Sequence, residues 1–392
     1  MDAVLSGNER LDGLAFWLAD NSQLALADLH DGFCRQLLDR KIPLWRSSLG
    51  MELLHPEQGG IRSAWRIGEA ITITQAPRGL EDTPAYLDSP VKIVDDTDRP
   101  FRQKLTEPGP DLPILKEFRE AGGTDYVIYP LPFLDRSRSA YLSFATQAAG
   151  GFTDADLESL QLAGRLLSPY AERRALRRMA IDLLDTYVGH HAGELIFNGQ
   201  VRRGAVETIE AAILMADLRG FTILSNRRER PFVIDTLNAW FESIATPVEA
   251  HGGEILKFMG DGLLAIFRAD PDAADAGGRA YRAALDARVA IAALNATRAA
   301  AGEGPVDFAM GLHVGEVAYG NVGGRTRLDF TVLGPAVNYA SRLQDLAKRL
   351  NQPVLVSREF ARALSDCLVD LGDHPLRGIG RSERVFALPS AL

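Results

Sequence analysis

Two aspartates, each closing an apolar run and each beside glycine, are the residues of this sequence best placed to do chemistry. Asp217 follows Ala211-Ala-Ile-Leu-Met-Ala216 and precedes Leu218-Arg-Gly-Phe-Thr222. Asp261 sits in Gly260-Asp261-Gly262, between Glu254-Ile-Leu-Lys-Phe-Met259 and Leu263-Leu-Ala-Ile-Phe267. The three runs predict buried strands that bring two carboxylates to adjacent strand ends. Mg2+ is a hard cation held by one or two carboxylates plus substrate phosphates, and two such carboxylates suit a two-metal clamp on a phosphoryl centre. The stretch after Asp217 reads as a loop opening a helix, whose backbone N–H groups at Gly220, Phe221 and Thr222 could cradle phosphate oxygens. Plainer roles exist for both carboxylates: a helix cap for Asp217, a hairpin corner for Asp261. The order in which the motifs recur weighs against them.

The surrounding elements are those needed to hold such a site. After the strand at Ala211–Leu218, an apolar stripe of Ile234, Leu237, Trp240, Phe241, Ile244 and Val248 predicts a helix over Phe232–Ala250. The hairpin Glu254–Phe267 and a long Ala-rich helix, Asp272–Ala300, follow. Then come a strand at Val306–Val314, the Gly-rich stretch Gly315–Gly324, a basic turn with Arg325 and Arg327, and a strand at Leu328–Leu333. Pro335 suits the first turn of a helix, here Ala336–Leu350. A strand at Pro353–Val356, a helix at Arg358–Leu364 and a strand near Arg384–Leu388 close the chain. Strand–helix–hairpin–helix–strand is the ferredoxin-like βαββαβ order, an α+β class.

The 392 residues, 46% hydrophobic and 24% charged, give a globular profile long enough for two domains. A net charge of −9 argues against a broad nucleic-acid footprint. Cys34 and Cys367 are too few and too far apart for a disulfide framework or a metal spacing. No basic n-region with an apolar core opens the chain, and no apolar run is long enough to span a membrane. A cytoplasmic protein with no membrane span is the expectation.

Upstream, Leu11–Leu38 predicts one or two amphipathic helices. Arg46–Leu54, Ala76–Asp88 and Val91–Val94 read as strands or loops, Tyr126–Phe133 and Ser139–Ala145 as strands, with Asp135–Arg138 a turn between the last two. Thr153 or Asp154 can cap a helix running to about Ala171. Trp65, Phe101, Tyr126 and Tyr129 fit a plain core better than a ligand pocket, and Cys34 a buried small hydrophobe. Residues 1–171 form the expected first domain. Tyr141-Leu-Ser-Phe144 and Gly151-Phe-Thr-Asp-Ala-Asp-Leu157 resemble the last strand and final helix of a GAF domain. The resemblance implies a regulatory domain with a small-molecule or protein ligand. Residues 172–204 read as a linker, with an amphipathic helix over Glu172–Val188. Adjacent His190 and His191 do not share a helical face and read as surface linker residues.

Residues 205–392 resemble the class III nucleotide cyclase catalytic domain. The resemblance is carried, in order, by Ala216-Asp-Leu-Arg-Gly-Phe-Thr222, Lys257-Phe-Met-Gly-Asp261, Gly311-Leu-His-Val-Gly-Glu316, Thr331-Val-Leu-Gly334 and Val337-Asn-Tyr-Ala-Ser-Arg342. It implies Mg2+ or Mn2+, two per site, held by Asp217 and Asp261 with the Leu218 carbonyl assisting. Asn338 would orient the ribose and Arg342 stabilise charge on the α-phosphate, where a planar guanidinium fits phosphate oxygens. Their spacing of four puts both on one helix face. Lys257 with Thr331 is the adenine-selecting combination, whereas guanine-selective members carry Glu and Cys. The resemblance therefore implies ATP, cyclised by in-line attack of the ribose 3′-hydroxyl to cyclic AMP and pyrophosphate. It also implies a head-to-tail homodimer: the metal aspartates come from one subunit, and Lys257, Thr331, Asn338 and Arg342 from the other. The sequence departs from the family at Leu376-Arg-Gly-Ile-Gly-Arg381, where Ile379 replaces a triphosphate-gripping Lys, with Arg377 or Arg381 as substitutes. A guanylate cyclase and a silent nucleotide-binding module are the alternatives. A diguanylate cyclase or polymerase palm is disfavoured by the Gly-Asp-Gly turn.

Overall fold

The computed structural model describes residues 10–134, 138–269, 273–364 and 368–389. The chain divides into two compact units, one ending at Thr186 and one beginning at Tyr187. Residues 135–137 of the expected Asp135–Arg138 turn, the Asp272 start of the Ala-rich helix, and Cys367 lie outside the described residues.

In the first unit the helices α1 (Leu14–Asp20) and α2 (Leu26–Asp39) occupy the expected amphipathic stretch. They lead into β1 (Arg46–Glu52), β2 (Gln58–Arg66) and β3 (Thr72–Pro77), then the short α3 (Pro84–Leu87) and α4 (Pro90–Thr97). β4 (Phe101–Lys104), α5 (Pro113–Glu120), β5 (Asp125–Pro130), β6 (Ala140–Thr146) and the long α6 (Asp154–Val188) complete it. The antiparallel sheet runs β3-β2-β1-β6-β5-β4. β5 is buried on both faces: Val127 and Tyr129 join the core under α1, α2 and α6, while Tyr126 and Ile128 join the one under α4 and α5. Trp65 and Tyr126 are core residues, as expected. Tyr129 also lines a cavity of about 660 Å³ together with Tyr86, Asp95 and Glu52.

Three expectations are corrected here. Val91–Val94 is helical, because Ser89 caps the N–H of Lys92 and Pro90 takes the first helical position. Of Ala76–Asp88, only Ala76 and Pro77 are strand; Leu80–Asp82 is a 3₁₀ turn and Pro84–Leu87 helix. The helix from Asp154 does not stop near Ala171 but continues to Val188, taking in the expected linker helix. Ala175 and Met179 are buried in the same core as Leu160 and Leu167, so the first turns of that linker pack with the first unit. The start of α6 has a reciprocal cap: Thr153 Oγ1 accepts from the Asp156 N–H at 3.2 Å, and the Asp156 carboxylate accepts from the Thr153 N–H at 2.9 Å.

The second unit opens with α7 (His190–Phe197), then β7 (Val206–Arg219), α8 (Phe221–Arg227), α9 (Arg230–Ala250), β8 (Glu254–Met259) and β9 (Gly262–Arg268). α10 (Ala273–Ala300), β10 (Asp307–Gly323), β11 (Leu328–Leu333), α11 (Pro335–Arg349), β12 (Val354–Ser357), α12 (Arg358–Arg362), β13 (Val369–Pro375) and β14 (Ser382–Ala387) follow. The sheet order is β13-β14-β12-β10-β7-β9-β8, with β11 pairing on β10. Its segment β10-β7-β9-β8 is the antiparallel ferredoxin-like arrangement, as the element order predicted.

Side-chain alternation on β7 decides what each face meets. Ala212, Leu214, Ala216 and Leu218 pack with Trp240, Ile244 and the alanines of α10, whereas Ala211, Ile213 and Met215 pack with α7 and α11. Asp217 continues the second series, so its carboxylate belongs to the α11 face. His191 is half-buried rather than on the open surface: its ring stacks on Tyr319 and its Nε2 lies 2.8 Å from Arg268 Nη1.

Candidate functional site

The two aspartates stand on adjacent strand ends. Asp217 pairs in register with Gly262, the residue after Asp261. The β8–β9 hairpin closes through a two-residue turn in which Gly260 adopts φ +65°, a conformation glycine takes without steric cost. Gly262 sits close against β7: a Cβ there would lie 3.2 Å from the Ala216 carbonyl oxygen, a tight contact, and 3.5 Å from Asp217 Oδ1. Two donors hold the turn against β7. The Leu218 N–H reaches the Asp261 carbonyl at 3.3 Å, and the indole N–H of fully buried Trp240 reaches the same oxygen at 3.2 Å.

The Asp217 carboxylate is already a cation receptor. Its Oδ2 accepts from Gln344 Nε2 at 3.3 Å and pairs with the Lys348 ammonium, both from α11. Partial burial pulls the Lys348 pKa below its ordinary value. Arg219, two residues beyond Asp217, ties down the end of that helix. Its guanidinium donates to the carbonyls of Ala347 (3.0 Å) and Gln352 (2.6 Å), to Asn351 Oδ1 (2.7 Å) and to Asp307 Oδ2 (3.1 Å). The Ala347 carbonyl lies in the last helical turn, where it also accepts from the Gln352 N–H at 3.0 Å, and Gln352 and Asn351 belong to the segment that leaves the helix. Trp240, Arg219, Gln344 and Lys348 were not singled out from the sequence. Only Arg219, inside the Asp217 motif, carried a signal; the others act across gaps of 21, 127 and 131 residues.

A divalent cation fits what is present. The donors are hard carboxylate oxygens. Among the described residues no group of three or more His, Cys, Asp or Glu could hold a metal. Two carboxylates would therefore depend on substrate phosphates to complete an octahedral shell, the usual Mg2+ arrangement.

Gly220 turns the chain with φ +73°, and α8 starts at Phe221, matching the expected loop-to-helix opening. The N–H groups of Ile223 and Leu224 fold back onto the Gly220 carbonyl, leaving those of Phe221 and Thr222 ahead of them in the turn. Phe221 is half-buried against the core and Thr222 is exposed.

The other expected site residues gather elsewhere. Lys257, on β8, reaches Asp329 Oδ2 on β11 at 3.3 Å. Buried Thr331 lies two residues from Asp329 on the same strand, hence on the same face. Asn338 is exposed on α11, and Arg342, one turn on, makes a 3.4 Å contact with Asp345. Ten residues separate Asn338 from Lys348, about 15 Å along the helix axis. The Asn338/Arg342 pair also points about 120° away from the Gln344/Lys348 pair around the axis. One chain thus sets Asp217 and Asp261 on adjacent strand ends, while Asn338 and Arg342 point to another side of α11 from the residues that meet Asp217.

At the far side of α11, His313 stacks on Tyr339 and pairs with Ser357 Oγ at 2.8 Å. Burial lowers its pKa to about 4. Ile379, at the position of the expected Lys, packs against the apolar core containing Leu343 and Leu346, and Arg381 pairs with Glu383 at 2.7 Å.

Comparison with known proteins matches residues 205–387 to the family described as adenylate and guanylate cyclase catalytic domain. An uncharacterized protein of Mycobacterium tuberculosis is 34% identical over 190 residues, 48% of this chain and 34% of its own length. The adenylate cyclase of Anabaena cylindrica is 32% identical over 166 residues, 41% of this chain and 32% of its own. The chain spans about a third of the length of these curated relatives. Among solved structures, the adenylyl cyclase CyaB from P. aeruginosa is 27% identical, with a TM-score of 0.44, covering 48% of this chain and 97% of that one.

Proposed function

We propose that the chain, whose residues 205–387 match the adenylate and guanylate cyclase catalytic domain family, is an adenylate cyclase, converting ATP to 3′,5′-cyclic AMP and pyrophosphate in the cytoplasm. The observation that carries the choice of ATP is Lys257 on β8 beside the Asp329–Thr331 edge of β11. There a Lys donor and a Thr acceptor suit the ring nitrogen and exocyclic amine of adenine.

Asp217 and Asp261, with the Leu218 carbonyl, would hold two Mg2+ or Mn2+ ions. Bound there, the metals supply Lewis-acid activation of the ribose 3′-hydroxyl and neutralise the triphosphate. The turn at Gly220, Phe221 and Thr222 binds phosphate oxygens through its N–H groups. Asn338 orients the ribose. Arg342 stabilises charge on the α-phosphate as the bond to the 3′-oxygen forms and the bond to pyrophosphate breaks. The turn of about 120° around α11 between the Asn338/Arg342 pair and the side chains that meet Asp217 favours a head-to-tail homodimer with sites shared between subunits. Arg377 is the better substitute for the missing triphosphate Lys, since Arg381 is engaged by Glu383.

Residues 1–171 are proposed as a GAF-like regulatory domain, with 172–204 as the linker to a catalytic domain at 205–392. A six-stranded antiparallel sheet between helices and a cavity of about 660 Å³ support it. A small-molecule or protein ligand is its proposed input.

The test is product formation from ATP and from GTP, with Mg2+ or Mn2+, by the full chain and by Asp261→Ala. Cyclic AMP from the wild type alone, with little cyclic GMP, is expected. Cyclic GMP as the main product would replace this reading with a guanylate cyclase. No product with either nucleotide would leave the silent binding module.

A further inference from the structure

The two side chains that engage Asp217 are not alike. Gln344 is 6% exposed and brings a neutral amide to Oδ2. Lys348, one turn on, brings a full positive charge to the same oxygen on a long, partly exposed side chain. The helix beneath them is pinned: Arg219 grips the Ala347 and Gln352 carbonyls on either side of Lys348 in sequence. α11 therefore cannot slide to release Asp217, whereas the flexible four-carbon stem of Lys348 can swing.

A divalent cation that reaches this carboxylate oxygen displaces the ammonium, because two positive charges repel it at least as strongly as the single carboxylate charge attracts it. The pairing is partly shielded from water, so solvent screens this conflict less than at an open surface. We propose that Lys348 is a built-in counter-cation that competes with the metal for Asp217, so that metal entry requires the ammonium to swing off the carboxylate. This rests on the reading of Asp217 as a metal ligand. In that role Lys348 is a positioning residue: it holds the Asp217 carboxylate in place until the metal arrives, and it sets how much metal the site needs.

The experiment is Mn2+ binding to the full chain without nucleotide, followed by loss of the free-ion electron paramagnetic resonance signal. Wild type, Lys348→Met, Lys348→Arg and Asp217→Asn are compared. Removing the charge in Lys348→Met is expected to tighten the Asp217-dependent site about tenfold, the size of one partly screened charge contact, while Lys348→Arg binds as wild type does. Lys348→Gln serves equally should the Met variant not fold. Equal or weaker binding by the neutral variants overturns the competition while leaving the metal reading intact, provided Asp217→Asn still loses the site. Unchanged Mn2+ binding by Asp217→Asn removes the metal reading, and this proposal with it.

Discussion

Single residues set the chemistry through neighbours that carry no motif of their own. Lys257 is an example: its ammonium is steered by Asp329, an exposed partner on another strand. Exposed ion pairs contribute about 0–1 kcal/mol, so Asp329→Ala should leave folding intact. It is expected to raise the KM for ATP by up to about fivefold with little change in kcat, as steady-state kinetics would show. A large fall in kcat instead would mean that Asp329 does more than orient Lys257. Trp240 plays the parallel part for Asp261 through one indole N–H. Trp240→Phe keeps the ring packing but leaves the carbonyl one donor short, a loss of about 1 kcal/mol that urea unfolding would register.

At the scale of elements, α6 carries two stripes. One, with Leu160, Leu167, Ala175 and Met179, is buried in the first unit. The other, with Leu176 (50% exposed), Leu183 (36%) and Tyr187 (78%), is open at coiled-coil spacing. In a dimer this second stripe is the natural seam between two copies. Leu176→Lys with Leu183→Lys is therefore expected to shift the chain toward monomer by light scattering and to lower cyclic nucleotide output in proportion. A stable, active dimer in that variant would place the seam elsewhere.

What the sequence disclosed about elements follows from their apolar content. β7, β9, α9 and α11 were legible because runs or stripes of large apolar residues leave one choice of period. β2 and β13 were not: Gln58–Arg66 and Val369–Pro375 are rich in Gly and charged residues, and β13 is an edge strand with a bulge at Asp370/Gly372. Val91–Val94 was misread because so short an apolar run has no period to measure. In the site, the motif carboxylates and the Asn338–Arg342 spacing could be read directly. The contacts on Asp217 could not, since they depend on which face of β7 meets which face of α11.

For the whole molecule, each unit holds a buried neutral histidine. His30 lies between Ser47 Oγ and Ser63 Oγ, both at 2.9 Å, and burial lowers its pKa to about 3; His313 is lowered to about 4. Unfolded histidines bind a proton near pH 6.5, whereas these do so only near pH 3 and 4. The unfolded chain thus takes up more protons as pH falls below 6.5, and stability drops through that window while staying flat above it. Each group is expected to remove on the order of 1–2 kcal/mol between pH 7 and pH 5. Denaturant midpoints at the two pH values should show both units weakened. A midpoint that does not move would mean the histidines are hydrated in solution.

α11 has one further consequence. Its C-terminal half holds the Asp217 of its own chain, while its N-terminal half carries Asn338 and Arg342, which the proposed head-to-tail dimer would lend to the partner. In a symmetric pair each such helix is a rigid rod with one foot in either reaction chamber. In the proposed dimer, filling the first chamber is expected to pull on the rod that furnishes the second, so that the two do not turn over alike. Alternation between them would appear as a Hill coefficient for ATP away from one, and it would vanish when Arg219 no longer fastens the rod.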